Sequence, residues 1–177
     1  PASVCSPTRC SLQLGMSPAQ TGWTKAAPTM TAADGYKLIP PRITKNLDSR
    51  TTTIAEVLRK AGYATAHYGK WHLNGGGPSE HGYDDDDGNN SNEYAYRFKD
   101  PNPVDIFGMA RRTAEFMEKS KRAGKPFFVQ MSWHALHAPD NALEKTKAKY
   151  AASGSLRRGK GVGVAAITED LDTGVGM

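Results

Sequence analysis

The 177-residue sequence lacks the features that would assign it to several large classes of protein. It has no apolar run long enough to cross a bilayer, no charged and apolar leader and no initiator methionine, so we expect a soluble chain without a membrane partner. Cysteine is scarce: only Cys5 and Cys10 occur, and neighbouring turns of a helix do not offer disulfide geometry. A free thiol near a helix start is more typical of a reactive group.

Basic residues are in excess, with a formal net charge of +5, but they are scattered along the chain. Only residues 119–125 and 157–160 approach a basic patch, and neither stretch is interleaved with the aromatic side chains that single-strand binding requires. We therefore expect no nucleic-acid partner. A small anionic substrate or an anionic polysaccharide remains compatible with this charge.

Helix and strand patterns alternate along the chain, which predicts an α/β fold with a mostly parallel sheet. A capping box formed by Thr53 and Glu56 opens one of the helices. Helices are predicted over residues 7–14 with Ser6 as N-cap, over 53–62, from Asp105 to Gly124, and over 142–152 and 164–173. Strands are predicted over 63–68 and, strongly apolar and buried, over 127–133. Residues 17–50 and 75–103 are interpreted as loops.

Chemically versatile side chains follow both predicted strands. The first strand ends at Lys70-Trp71-His72, and the second ends at His134 to His137. In a parallel sheet the ligand site lies beyond the carboxyl ends of the strands, so both segments fall where a site is expected. The Lys70 ammonium suits a sulfate or phosphate oxygen, and the His72 imidazole suits proton transfer. The alternative is that both are ordinary loop residues beside a Trp71 anchor.

A second candidate group lies at the first helix. Cys5 lies at the N-terminal end of this helix, where unpaired backbone N–H groups and positive potential favour a thiolate or an anion. Arg9, one turn further along, adds a guanidinium suited to holding an oxyanion. The alternative is a buried structural cysteine with a surface arginine.

Metal sites are weakly indicated by the pattern. His134 and His137, with Asp140 beyond them, lack a further ligand at a firm zinc spacing. The run from Asp84 to Asp87 lacks the alternating ligand pattern of a calcium loop and is interpreted as a solvated acidic turn. Two further histidines are interpreted as structural: His67 and His81.

Four segments, taken in order, match the motifs of one family. Cys5-Ser6-Pro7-Thr8-Arg9 has the pattern Cys-x-Pro-x-Arg, and Gly62 to Leu73 has the pattern Gly-Tyr-x-Thr-x-x-x-Gly-Lys-x-His-Leu. Residues 126–139 look like that family's buried strand and its terminal histidine, and residues 165–176 look like its Glu-Asp-Leu-Asp helix. From end to end, the chain resembles the formylglycine-dependent (type I) sulfatases of the alkaline-phosphatase-like superfamily.

The resemblance implies an alkaline-phosphatase-like sheet flanked by helices and the hydrolysis of sulfate monoesters. Cys5 would be oxidised to formylglycine (3-oxoalanine) by a formylglycine-generating or sulfatase-maturing enzyme, and its hydrated aldehyde would attack sulfur. Arg9 would orient and stabilise that hydrate, and Lys70 would bind sulfate oxygens. His72 would hydrogen-bond the formylglycine hydroxyl, and His137 would contact sulfate or protonate the leaving oxygen.

Family members also bind one calcium ion through paired aspartates upstream of the cysteine motif and an Asp-Asn pair further downstream. Of those ligands only the formylglycine position, Cys5, is present here. The resemblance therefore implies that residues 1–177 form a partial sulfatase catalytic domain, incomplete in its sheet and inactive alone. It also implies a sulfated small molecule or sulfated carbohydrate as substrate, and a periplasmic or secreted location.

Two alternatives stay open at this point. A phosphonate or phosphate ester hydrolase of the same superfamily could carry the same cysteine motif, and its lysine and histidine would serve either anion. The chain could also be a catalytically silent fragment or an anion-binding module.

Overall fold

The computed structural model of the chain describes residues 4–26, 35, 37–38, 44–138, 140–154 and 160–177. Within these ranges no helix is long and apolar enough to span a membrane. Parts of the predicted 17–50 loop, and residues 157–159 of the second basic stretch, lie outside them. The elements are, in chain order, α1 (Cys5–Leu14), α2 (Pro18–Thr21), α3 (Ile54–Lys60), β1 (Ala64–Gly69), β2 (Asp85–Asp86), α4 (Ile106–Arg122), β3 (Phe127–Ser132), α5 (Glu144–Ala152) and α6 (Lys160–Val175).

The strands form one parallel sheet in the order β2-β1-β3, which confirms the predicted α/β class. β1 pairs with β3 along its whole length, from Ala64 opposite Phe127 to Gly69 opposite Ser132. The strand predicted over 127–133 is confirmed as β3, but the prediction that it is buried was wrong, because most of β3 is only half-buried. The reason is topological: among the described residues, β3 has a paired strand on one side only.

The first helix begins two residues earlier than predicted. Its N-cap position is Val4, and Cys5 is the first helical residue. Ser6 is therefore not the cap. Its hydroxyl instead donates to the backbone carbonyl of His72, over 2.8 Å, which ties the start of α1 to the end of β1. Pro7 is tolerated because N–H groups in the first turn of a helix have no partner within the helix.

Two capping boxes fix short helices around this sheet. The predicted one is confirmed: the Thr53 hydroxyl accepts from the Glu56 N–H, and the Glu56 carboxylate accepts from the Thr53 N–H. The second, between Ser17 and Gln20, begins α2 inside a stretch that was interpreted as loop. A four-residue helix is too short to leave a periodic apolar pattern, so the sequence signal was weak.

The run from Asp84 to Asp87 is only in part the solvated turn that the sequence predicts: Asp84 and Asp85 are exposed, but the run also pairs with the sheet. Asp85 and Asp86 form β2, so the predicted long loop contributes a strand. The Asp84 carboxylate accepts from the Thr65 N–H, and the Asp87 carboxylate accepts from the Gly69 N–H over 2.7 Å. These carboxylates satisfy backbone donors at both ends of β1, which explains why the run lies against the sheet.

Buried side chains pack on both sides of β1. Tyr68 and Ala66 of β1 pack with Met109 and Phe116 of α4. Beyond the carboxyl end of the strand, Trp71 is 1% exposed and belongs to a second cluster, whose other buried members are Cys10, Trp23, Leu47, Ala55, Leu73 and Tyr83. The anchored tryptophan fixes the backbone of its two neighbours, Lys70 and His72, at the end of the sheet.

Candidate active site

The structure brings the Cys5 thiol and the Lys70 ammonium together. Cys5 is half-buried at the first position of α1, and Lys70 directly follows β1 and is only 3% exposed. The Lys70 Nζ donates to the Cys5 Sγ over 3.3 Å. Burial lowers the pKa of Lys70 because it penalises the ammonium form, and the contact with Cys5 opposes that shift.

Arg9 lies one turn into α1 and adds a second cation to this pair. Its guanidinium donates to the backbone carbonyl of Lys70, and this hydrogen bond joins α1 to the residue that follows β1. Burial lowers the pKa of Arg9, opposed by interaction with Cys5, but an arginine remains charged at any physiological pH. Its buried Nε has no hydrogen-bond partner among the described residues.

His72 completes the group at the end of β1. Its backbone is left-handed, with φ 55°, and it is held by two hydrogen bonds: the carbonyl accepts from Ser6, and the N–H donates to the Asn90 carbonyl over 2.9 Å. Burial lowers the pKa of its imidazole, and the charges of Lys70 and Arg9 lower it further. The ring is therefore neutral at pH 7 and can accept a proton.

His137 lies at the margin of the site and is exposed to solvent. Its Nδ1 is 2.9 Å from the Ala138 carbonyl oxygen, and its Nε2 is 3.1 Å from the Asn92 side-chain amide nitrogen. A carbonyl can only accept, so Nδ1 carries the proton and Nε2 accepts from Asn92. An electrostatic interaction with His137 is a minor contribution to the lowered pKa of His72, which places the two imidazoles within electrostatic range.

The other candidate ligand, His134, is 3% exposed and stacks on Tyr94 with ring centroids 5.6 Å apart. Burial lowers its pKa to about 4, so it is neutral. Across the described ranges, no group of three or more His, Cys, Asp or Glu side chains is arranged so that it could hold a metal ion. The residues present therefore do not fit a zinc ion, and they do not fit the calcium ion that the family resemblance implies, since calcium takes six to eight oxygen ligands.

Sequence reasoning indicated the 75–103 loop only by its position and named none of its side chains, although the stretch after β2 supports the site from three positions. The Asn90 side chain donates to the Gly69 carbonyl and accepts from the Trp71 N–H over 3.1 Å. Asn92 contacts His137, as described above. Glu93 raises the pKa values of both Lys70 and His72. Their only sequence signal was polar composition, which is typical of any surface loop.

Fold and site together define an α/β protein with a positively charged candidate site beyond the carboxyl ends of its parallel strands. Two cations, a thiol at a helix start and a neutral imidazole meet there. The family model described as Sulfatase matches residues 1–159 of the chain. The chain belongs to the sulfatase family, and its sheet and flanking helices have the alkaline-phosphatase-like architecture.

Curated relatives agree with this assignment. Arylsulfatase G of Rattus norvegicus is 30% identical over 185 residues, covering 78% of this chain and 33% of the relative. Arylsulfatase G of Homo sapiens is 26% identical with the same coverage. The chain thus spans about a third of the length of the curated relatives it matches.

Solved structures show the same fold. The crystal structure of Ps i-CgsB in complex with k-i-k-neocarrahexaose superposes with a TM-score of 0.73 at 19% identity, over 99% of this chain and 43% of that one. A structure from work on the metabolism of multiple glycosaminoglycans by Bacteroides thetaiotaomicron superposes with a TM-score of 0.69 at 18% identity, over 99% and 48% of the two chains. At this identity the likeness concerns the fold.

Proposed function

We propose that the protein to which these residues belong hydrolyses sulfate monoesters with a nucleophile derived from Cys5. One observation carries the proposal: the Lys70 Nζ lies 3.3 Å from the Cys5 Sγ at the start of α1, with Arg9 tied to the same backbone. A helix start with two cations favours an anionic ester. Sulfate transfer needs this kind of charge gathered around the oxygens that carry charge in the transition state.

Cys5 suits conversion to formylglycine by a maturing enzyme. Its side chain is only half-buried, and the Sγ marks where a hydroxyl oxygen of the hydrated aldehyde would lie. When formed, that group supplies a hydroxyl nucleophile and a second hydroxyl through which sulfate can be expelled. Lys70 would hold that hydroxyl or a sulfate oxygen at its ammonium, and Arg9 would stabilise negative charge on the same side.

The two histidines would carry out the proton transfers of the reaction. His72 is neutral because burial lowers its pKa, so it can accept the proton of an attacking hydroxyl. His137 has its Nε2 directed to Asn92, so donation of a proton to the leaving oxygen requires a second proton on the ring. The imidazole of His137 is exposed to solvent, so water has access to it.

The first test is chemical. The protein is produced beside a formylglycine-generating enzyme, and the tryptic peptide ending at Arg9 is analysed by mass spectrometry and with a hydrazide probe. An aldehyde at Cys5, absent from Cys5→Ala but retained in Cys10→Ala, is the expected result. Cys10 is a matched control because it lies in the same helix but is buried in the core. An unmodified Cys5 thiol under these conditions would contradict the proposal.

The second test is the rate ratio between an aryl sulfate and an aryl phosphonate. We expect the sulfate to be turned over faster by the matured whole protein, and Cys5→Ala to abolish both activities. Faster turnover of the phosphonate would replace the proposal by the phosphonate or phosphate ester hydrolase. No turnover of either ester, with the aldehyde present, would favour a silent member of the family. The natural substrate is proposed to be a sulfated small molecule or carbohydrate.

Calcium binding is proposed to need carboxylates other than those described, together with a further strand beside β3. Among the described residues no strand pairs with the outer edge of β3, and a groove along that edge opens onto Cys5 and Arg9. Residues 1–177 would then form a partial catalytic domain. Calorimetry with calcium should show no tight binding by residues 1–177, and tight binding would contradict this proposal. Export to the periplasm or medium stays a prediction, which cell fractionation checks.

A further inference from the structure

A cavity of about 250 Å³ adjoins the His72 side of the site and carries charges of both signs. Its walls include His72, Ser91, Glu93 and Lys45. A cavity of roughly 150 Å³ already holds a benzene ring, so this one has room for a single aromatic or sugar ring. The cavity reaches the site through His72, two residues after Lys70, so the ring of a leaving group could lie there if the sulfate is held at Lys70.

Glu93 is the acidic group of this cavity. It is exposed to solvent and is the second residue of the 3₁₀ turn Asn92–Arg97. Its negative charge raises the pKa values of both Lys70 and His72. Hydrogen bonds from its own backbone N–H and from Ser91 lower the pKa of its carboxyl, and His72 and Lys70 lower it further. Glu93 is therefore ionised at neutral pH and lies within electrostatic range of the position proposed for the sulfate.

A carboxylate in this place does not help to bind sulfate, because it offsets part of the positive field of Lys70. Its hydrogen bonds, to its own backbone and to Ser91, are local, and it is not part of the core. The carboxylate is thus available to interact with a substrate group in the cavity that it lines. Lys45, the opposite charge in the same cavity, is exposed, and its backbone carbonyl is held by the Asn74 side chain over 2.8 Å.

We propose that Glu93 is a specificity-determining residue of the sulfate ester hydrolase proposed above, on which this inference rests. It selects against leaving groups that carry a second negative charge next to the scissile ester, and it favours uncharged, hydroxyl-bearing ones. The reason is direct repulsion between two carboxylates that share one small cavity. Hydroxyl groups instead gain an acceptor in the Glu93 carboxylate.

Binding to the protein with unmodified Cys5 tests this without turnover. Calorimetry compares phenyl sulfate with 2-carboxyphenyl sulfate on the whole protein made without the maturing enzyme. We expect the wild type to bind phenyl sulfate about 3- to 30-fold more tightly, as for two like charges in one small cavity with partial solvent screening. In Glu93→Gln the two affinities should agree within about twofold. Glu115→Gln, the same charge change on the exposed surface of α4, should keep the wild-type ratio.

Each outcome separates the two proposals. If neither ester binds to the wild type, the sulfate site itself fails and this inference fails with it. If both bind, and the affinity ratio is the same in Glu93→Gln as in the wild type, only the role of Glu93 is overturned. Tighter binding of the carboxylated ester by the wild type would also overturn it, because Lys45 would then dominate the cavity. Thermal unfolding of Glu93→Gln checks that the variant is folded, and Glu93→Ala repeats the test.

Discussion

Replacing Lys70 by methionine should separate stability from function. Lys70 is 3% exposed, and burial lowers the pKa of its ammonium, so the charged form is held in the folded protein at a cost. Methionine has a similar length and no charge. We therefore expect the free energy of unfolding of Lys70→Met to stay within about 1 kcal/mol of the wild type or to rise, as when buried charges are replaced by apolar groups.

The catalytic activity of Lys70→Met, in contrast, should fall. The variant loses the donor that lies 3.3 Å from the Cys5 Sγ, and removing one such donor typically costs about 10²- to 10³-fold in kcat, or about 3–4 kcal/mol of transition-state stabilisation. The assay is aryl sulfate hydrolysis by the matured whole protein, beside urea unfolding of the same samples. Lys121→Met, which removes an exposed charge of α4, is the control and should leave both quantities unchanged.

The pH dependence of stability provides a further check on the same variant. Since the folded-state pKa of Lys70 lies below 10.5, the unfolded state binds more protons in the window just under that value, and the wild type gains stability as pH rises through it. Lys70→Met should lack this gain. A large loss of stability that parallels the loss of activity would refute the reasoning, because Lys70 would then be a structural residue.

Three further changes test the surroundings of the site. Gly69→Ala should lower the free energy of unfolding by about 2–4 kcal/mol in urea titrations, because the added methyl group would collide with the Ser132 carbonyl and φ is 90°. Asn92→Ala should slow sulfate ester hydrolysis about 10-fold without a change in unfolding midpoint, because His137 loses the hydrogen bond that holds its ring in position. Activity equal to the wild type would contradict a positioning role for this contact. The wild type should lose stability as pH falls from 6.5 to 4, because His134 binds a proton in the unfolded state but not as the buried imidazole, whose pKa is about 4. His134→Phe should lack this loss of unfolding free energy, which amounts to about 3 kcal/mol at most.

Local signals in the sequence were sufficient for most elements. The capping box of Thr53 and Glu56 is visible because it depends on residues three apart, and the structure confirms it. The parallel pairing of β1 and β3 agrees with the alternation of helices and strands. The start of α1 was missed because Ser6 has the side chain of an N-cap, but its hydroxyl donates to His72, 66 residues away. No local pattern reports such a partner.

The sequence by itself determined the class of the protein and the chemical groups of its site, because Cys5, Arg9, Lys70 and His72 stand in motifs of fixed short spacing. The tertiary structure decided how they meet: Arg9 on the carbonyl of Lys70, and the Lys70 ammonium on the sulfur of Cys5. It also decided that Glu93 lines the same cavity as His72. Contacts between residues far apart in the chain depend on strand order and burial, and neither is encoded in local spacing.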